Sequence, residues 1–155
     1  KKQLLILKNG EKNMIKEFNI NQLDEVMKIW LEVNEDAHSF ISKEYWNNNY
    51  ELVKSLLPDA NIYVFEEDNI IKGFIGIIED GYIAGIFIKN EYQREGIGHK
   101  LIEYSKSKYK ELSLNVYAKN ENALNFYYKN NFKVLGSMIN EETNELEYTM
   151  VYKNN

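Results

Sequence analysis

Cysteine is absent from this chain of 155 residues. That excludes disulfides, thiolate metal sites, a cysteine nucleophile and any acyl-cysteine intermediate. Proline occurs once, as Pro58, and arginine once, as Arg94, against 18 lysines. No apolar run approaches the roughly 20 residues a membrane-spanning helix needs, so no membrane partner is expected. The two histidines, His38 and His99, lie far apart and form no metal motif, so no metal is expected. Repeats, linkers and low-complexity tracts are also missing, and the many asparagines are scattered. A net charge of −5 and an isoelectric point near 5.2 argue against nucleic acid, whose phosphates reward basic faces. An acidic surface suits a cationic partner such as an amine.

What is present fits one globular domain. Hydrophobic residues make up 44% and charged residues 28% of the chain, enough for a core and too apolar for disorder. Lys1–Asn13 reads as an extension outside the domain, with Met14 as a natural start and Leu4–Leu7 as an alternative first strand. This stretch lacks the apolar centre and cleavage site of a secretory signal, so the cytoplasm is the expected location. Within 14–155, Met14–Phe18 is a short strand. Asn19 or Asn21 caps a helix through Trp30 to about Asn34, and Ser42 caps a second that Pro58 stops. The period then changes to two. Strands are predicted at Ile62–Phe65, Ile70–Ile78 and Tyr82–Ile88, separated by turns at Asp68-Asn69 and Asp80-Gly81. A helix follows over Gly96–Lys108, then a strand Leu112–Ala118, a helix Asn120–Asn130, and strands Phe132–Leu135 and Leu146–Tyr152. The order β-αα-βββ-α-β-α-ββ predicts an α/β (α+β) fold with a mixed sheet.

The informative segment is Ile86-Phe87-Ile88-Lys89-Asn90-Glu91-Tyr92-Gln93-Arg94-Glu95-Gly96-Ile97-Gly98-His99-Lys100. A strand enters a polar loop and two glycines open a helix, whose free amides and dipole attract phosphate. A Walker loop fails here, because Gly98 is followed by His99 and position 93 is Gln. The dinucleotide fingerprint fails because Leu101 stands where its third glycine belongs. The chain's single arginine falls inside this loop, and its forked guanidinium suits phosphate oxygens better than an ammonium does. Taken alone, the same residues equally describe a glycine-opened helix with a solvated arginine.

Gln93-Arg94-Glu95-Gly96-Ile97-Gly98 resembles the Gln/Arg-x-x-Gly-x-Gly/Ala signature of the GNAT family of N-acetyltransferases. A second block, Asn120-Glu121-Asn122-Ala123-Leu124-Asn125-Phe126-Tyr127-Tyr128-Lys129-Asn130-Asn131-Phe132, is similar to the family's Asn-x-x-Ala-x-x-Phe-Tyr-x-x-x-Gly-Phe stretch. Asn131 departs from the usual glycine, and asparagine is the next best residue at positive φ. The resemblance covers about Met14 to Tyr152. The segment containing Trp30, Asp36-Ala37-His38-Ser39-Phe40-Ile41 and Trp46 looks like a subgroup of small bacterial members, some of which acetylate protein lysines.

The resemblance implies a sheet of six to seven strands flanked by four helices, and transfer of an acetyl group from acetyl-CoA to a primary amine. The acceptor would be a small molecule, a peptide N-terminus or a protein lysine. It implies that strands Tyr82–Ile88 and Leu112–Ala118 splay apart, so that the backbone of Ile86, Phe87 and Ile88 pairs with the pantetheine arm. Gln93, Arg94, Gly96, Ile97, Gly98, His99 and Lys100 would surround the phosphates, with Asn120 and Tyr127 also at the cofactor. Tyr127 would be the general acid that protonates the leaving thiolate; without the resemblance, its place beside Phe126 and Tyr128 on an amphipathic helix reads first as that of a packing aromatic. His38, Phe40, Trp46, Glu79 and Tyr82 are candidates for the acceptor site, within a pocket shaped by Ala37–Tyr50. Glu79, Asp80, His38 or a water chain would serve as base. Glu35, Asp36 and Glu44 would draw a cationic acceptor, or simply form a solvated helix face. A non-catalytic acyl-CoA sensor and a structural domain are the competing readings. Either a monomer or a homodimer is compatible with the composition.

Overall fold

The computed structural model describes residues 14–154. The expectations placed on 1–13, an extension or a strand Leu4–Leu7, lie outside the described residues. Seven strands form one sheet in the order β1-β2-β3-β4-β5-β7-β6. They are β1 (Ile15–Glu17), β2 (Asn61–Glu67), β3 (Ile70–Ile78), β4 (Tyr82–Ile88), β5 (Glu111–Tyr117), β6 (Lys133–Ile139) and β7 (Leu146–Lys153). Neighbours pair antiparallel except β4 and β5, which run parallel. Four α-helices accompany them: α1 (Leu23–Ala37), α2 (Lys43–Leu56), α3 (Ile97–Lys108) and α4 (Glu121–Lys129).

Alternation along the strands divides the core into two layers. Tyr63, Phe65, Ile75, Ile77, Leu112, Leu114 and Val116 pack with Leu101 and Ile102 of α3 and Tyr127 of α4. On the other face Ile62, Val64, Ile71 and Phe74 pack with Val26, Met27, Ile29 and Trp30 of α1 and Trp46 of α2. Full burial of a side chain of this size contributes about 1.5–3 kcal/mol, so the α1 contact alone holds that helix on the sheet.

Local signals set the element ends. Asn19 caps a single 3₁₀ turn, Ile20–Gln22, by a reciprocal pair of bonds in which Asn21 N donates to its side chain and Gln22 Oε1 accepts from its own amide. That turn leads into α1, which runs three residues past the expected end at Asn34, to Ala37. No glycine or proline stands there to stop it. Ser42 caps α2 through the Glu44 amide, and Pro58 sits in the 3₁₀ turn that ends it. Asp68 and Asn69 both take positive φ between β2 and β3. At Gly81, φ is +116° and a Cβ would lie 2.2 Å from the Glu111 carbonyl oxygen, so only glycine lets the β3–β4 hairpin close against β5. Asn131 adopts φ 70°, the left-handed exit expected of it after α4. The strand predicted at Phe132–Leu135 starts one residue later and continues to Ile139, with every residue exposed.

Candidate active site

Pairing between β4 and β5 is confined to Tyr82 with Ser113 and Ile83 with Leu114. Beyond that point the two strands part, and the outer edge of Ile86–Ile88 has no strand partner while its inner edge pairs with β3. The cause is visible in the register with β3. Gly76 faces Gly85 but Ile77 faces Ile83, leaving Ala84 as an extra residue, a β-bulge that bends β4 where its pairing with β5 stops. Sequence reasoning expected the splay from the resemblance and missed the bulge. Its signal was Gly85, a glycine in a strand interior. A Cβ there would lie 2.4 Å from the Phe87 ring, which folds back over Gly85 and stacks on Phe74 at 4.9 Å. The Phe87 side chain therefore belongs to the α1/α2 core, and only its backbone borders the cleft.

At the open end of the cleft the chain makes a 3₁₀ turn at Asn90–Tyr92, Gln93 is extended, and Arg94 takes φ 67°. Gly96 caps α3 at φ 82°, and a Cβ there would meet nothing within 4 Å. The first turn of α3 has no side-chain cap and no acidic residue. The other three helices each carry one or both: Asp24 and Glu25 on α1, Ser42 and Glu44 on α2, Asn120 and Glu121 on α4. The amides and positive end of α3 are thus left for an exogenous anion. The left-handed turn at Arg94 stores about 1 kcal/mol that glycine would not. Arg94→Gly is therefore expected to unfold no more easily than the wild type, while binding CoA about tenfold more weakly for loss of a charge-assisted contact. A thermal melt with and without CoA checks both halves.

The remaining loop residues are placed less simply. Gln93 Nε2 donates to the Ile88 carbonyl at 3.1 Å and to Asn90 Oδ1 at 3.0 Å, so this side chain ties the loop to the end of β4. Gly98 faces Phe126 of α4, whose ring atoms lie 3.0 and 3.1 Å from where a Cβ would be, and Ile97 is buried in the core. Lys100 reaches over the Phe65 ring. His99, expected among the phosphate ligands, turns its Nδ1 to Asn130 Oδ1 at 2.7 Å instead. Asn130 is itself buried, and its carbonyl accepts from the buried Lys106 Nζ at 2.8 Å, which also lies 4.2 Å from the Tyr152 ring centroid. This network fastens the C-terminal end of α4 to α3.

Tyr127 sits one turn before that fastening. Its ring packs edge-on against Phe126 and Phe132 at 5.3 and 5.5 Å, and only 6% of the residue is exposed. Burial pushes its phenol well above the ordinary tyrosine range. Tyr82, at the start of β4, adds to that upward push. Tyr82 is half-buried, its own phenol also raised by burial and by Glu147.

The acceptor candidates separate. His38 follows α1 and lies among Phe40, Trp46 and Tyr117, at 5.7, 5.1 and 5.3 Å between ring centroids. Its Nδ1 is 3.0 Å from the Asn34 carbonyl, which only accepts, so Nδ1 carries the proton. Its Nε2 is 3.3 Å from Asn120 Nδ2. The Asn120 amide cannot be turned round, because its Oδ1 caps α4 by accepting from Ala123 N at 3.2 Å. Nε2 is therefore an acceptor already in use, and burial lowers the ring's affinity for a proton. His38, one of the candidates for the base, thus has a partner at both ring nitrogens. Asn120, expected at the cofactor, likewise spends its side chain on the cap and on His38. Trp46 is buried and belongs to the core rather than to an open pocket. Glu79 and Asp80 sit in the hairpin before β4, and from Tyr82 to Ile86 the strand already spans about 13 Å. The fold therefore does not bring these two carboxylates to the open stretch of β4. Asp36 is not a free acid either, since it accepts from Asn90 Nδ2. No cluster of three metal-ligating side chains occurs among the described residues, and no described helix is long and apolar enough to cross a membrane.

Comparison with known proteins agrees with this geometry. A family profile described as the acetyltransferase (GNAT) domain matches residues 15–149. The chain is 34% identical over 131 residues to the peptidyl-lysine N-acetyltransferase YiaC of Escherichia coli strain K12, covering 84% of this chain and 90% of that one. It is 35% identical over 115 residues to the peptidyl-lysine N-acetyltransferase YjaB of the same strain, covering 73% and 77%. The solution structure of apo YjaB from Escherichia coli superposes with a TM-score of 0.80 at 28% identity, covering 91% of this chain and 97% of that one. The chain belongs to the GNAT family of acetyltransferases, and acetyl transfer to an amine is its activity.

Proposed function

We propose that this acetyltransferase takes acetyl-CoA into the β4–β5 cleft and passes the acetyl group directly to the side-chain amine of a peptide lysine, in a ternary complex in the cytoplasm. The observation that carries the reading is the uncapped, acid-free start of α3 beside the unpaired edge of β4. These residues fit the cofactor. The amides from Gly96 to His99 and the Arg94 guanidinium would hold the diphosphate, and the backbone of Ile86–Ile88 would pair with the pantetheine arm. When bound, acetyl-CoA supplies an acetyl group activated as a thioester. A backbone amide beside the bulge would donate to the carbonyl oxygen as charge develops on it, an effect worth about 3 kcal/mol for one well-placed donor. Tyr127, kept protonated by burial, would give its proton to the departing sulfur. With His38 engaged, proton removal from the incoming ammonium falls to a water chain.

Two observations favour a peptide lysine over a small amine. The relatives YiaC and YjaB are named for that substrate. The β6–β7 turn also exposes Glu141 and Glu142, a negative charge suited to a lysine-bearing segment, while Glu145 beside them is paired with Lys119. An acyl-CoA sensor without catalysis is not favoured, since both relatives are named as enzymes. A thiol-release assay across lysine peptides, peptide N-termini, free amino acids and polyamines tests the proposal. Turnover is expected with lysine peptides, and turnover confined to the small amines would overturn the choice of substrate.

A further inference from the structure

The two lips of the cleft have no hydrogen bond to each other beyond Ile83 and Leu114, so the sheet does not set their separation. Both lips are hydrogen-bonded instead to the C-terminal end of α1, and Lys89 on the β4 lip also pairs with Glu25 in the first turn of that helix at 3.8 Å. Asn90, two residues past β4, donates to Asp36. Asn120, three residues past β5, donates to His38. Asp36 and His38 are two residues apart, and α1 behind them is anchored in the core by Val26, Met27, Ile29 and Trp30. Each lip amide is also held in one orientation. Asn90 Oδ1 accepts from Gln93, and Asn120 Oδ1 caps α4. We propose that the end of α1 is a bracket that fixes the width of the cleft, Asp36 positioning the β4 lip with the loop behind it and His38 positioning the β5 lip with the start of α4. The role is one of positioning for the acetyl-CoA cleft and rests on the function proposed above.

The arrangement makes cleft width depend on the charge of His38. Neutral, it accepts from Asn120. Protonated, it would turn an N–H toward the Asn120 amide protons. The groups around the ring are Asn34 on α1, Phe40 on its own loop, Trp46 on α2, Tyr117 on β5 and Asn120 before α4. The nearby charges are Asp36, engaged with Asn90, Lys119 over the Phe40 ring, and Glu142 against Tyr45 and Tyr117. Burial lowers the affinity of His38 for a proton, so the bracket is closed at neutral pH and opens on acidification.

Two measurements test this. In steady-state kinetics, Asp36→Ala is expected to raise the KM for acetyl-CoA about tenfold with kcat little changed, while Asp36→Asn, which can still accept, stays near wild type. The wild-type KM should rise on acidification past the ordinary histidine range, because burial lowers the affinity of His38 for a proton. Asn120→Asp keeps the cap but presents a carboxylate that wants His38 protonated, so its KM should rise toward alkaline pH, the opposite slope. Parallel profiles, or an unaltered KM in a folded Asp36→Ala, would overturn the bracket. Independently of activity, the cysteine-free chain allows spin labels at Glu91→Cys and Glu121→Cys, one on each lip. Their distance distribution should be single and narrow, and should broaden with Asp36→Ala; an unchanged distribution would also overturn the proposal. Absence of any acetyl-CoA turnover by the wild type would instead count against the proposed function, with the label distances still deciding the bracket.

Discussion

Tyr127→Phe should abolish most turnover, by about a hundredfold or more, while CoA still binds and the protein still folds. The substitution removes one oxygen and keeps the ring. The ring provides the packing against Phe126 and Phe132, so the core of α4 is retained. No described residue is hydrogen-bonded to the Tyr127 hydroxyl, so no described partner loses a bond when the oxygen goes. The stability cost should therefore stay small, since the lost oxygen leaves no hydrogen-bond partner behind. A loss of kcat with CoA affinity preserved assigns the hydroxyl to the chemical step. Equal kcat in the two proteins would return Tyr127 to the role of a packing aromatic.

The same residue leaves a mark on stability at high pH. An exposed tyrosine in the unfolded chain ionises near 10, whereas burial keeps Tyr127 neutral well above that. Between those two values the folded state holds a proton that the unfolded state has lost. Its contribution is fully present below about pH 10 and declines as pH rises past it. Tyr127→Phe should accordingly be less sensitive to alkali than the wild type, read as a shallower fall in melting temperature above pH 10. Tyr82, raised in the same direction, remains to account for part of the residual slope.

The order of elements was legible because turn chemistry marks it. Asp68-Asn69 and Asp80-Gly81 bound β3 and the start of β4 at the residues expected, since Asp68, Asn69 and Gly81 take the positive φ that these residue types favour; in the second turn Glu79, not Asp80, joins Gly81 there. Leu112, Leu114 and Val116 alternate because one face of β5 meets α3 and α4, and all three are buried. The strand β6 was underestimated for the opposite reason. It lies at the sheet edge with all seven residues exposed, so no buried face imposes a period on it. Within the candidate site, motif spacing singled out the loop and Tyr127 as candidates, but it could not reveal which way side chains turn. His38 and Asn120 are 82 residues apart, and only their meeting shows that the imidazole is already engaged. His99 reads as a neighbour of the phosphates from its position in α3, yet the exit of α4 gives it a nearer partner in Asn130. Gly98 reads as a ligand-facing glycine and is one that lets Phe126 approach.

That last distinction selects the sharper test of the cofactor site. Gly96→Asp should weaken CoA binding by at least about a hundredfold, or roughly 3 kcal/mol, while the melting temperature of the free protein moves by only a few degrees. Aspartate tolerates the left-handed conformation that Gly96 adopts at φ 82°, and it is among the favoured residues at a helix start. Its Cβ would enter open space. The carboxylate would then cap the free amides of α3 and place a negative charge where the diphosphate must sit, so occupancy of the site and repulsion act together. The equivalent change at Gly98 is less informative, because a Cβ there presses on the Phe126 ring at 3.0 Å and disturbs the contact between α3 and α4 on which Tyr127 depends. Calorimetric titration of CoA into Gly96→Asp, beside Gly96→Ala as the uncharged control, separates charge from shape. The alanine variant should lose affinity by much less. Equal and small losses in both would mean that the start of α3 does not carry the phosphates, and the acetyl-CoA assignment of the cleft would fall with it.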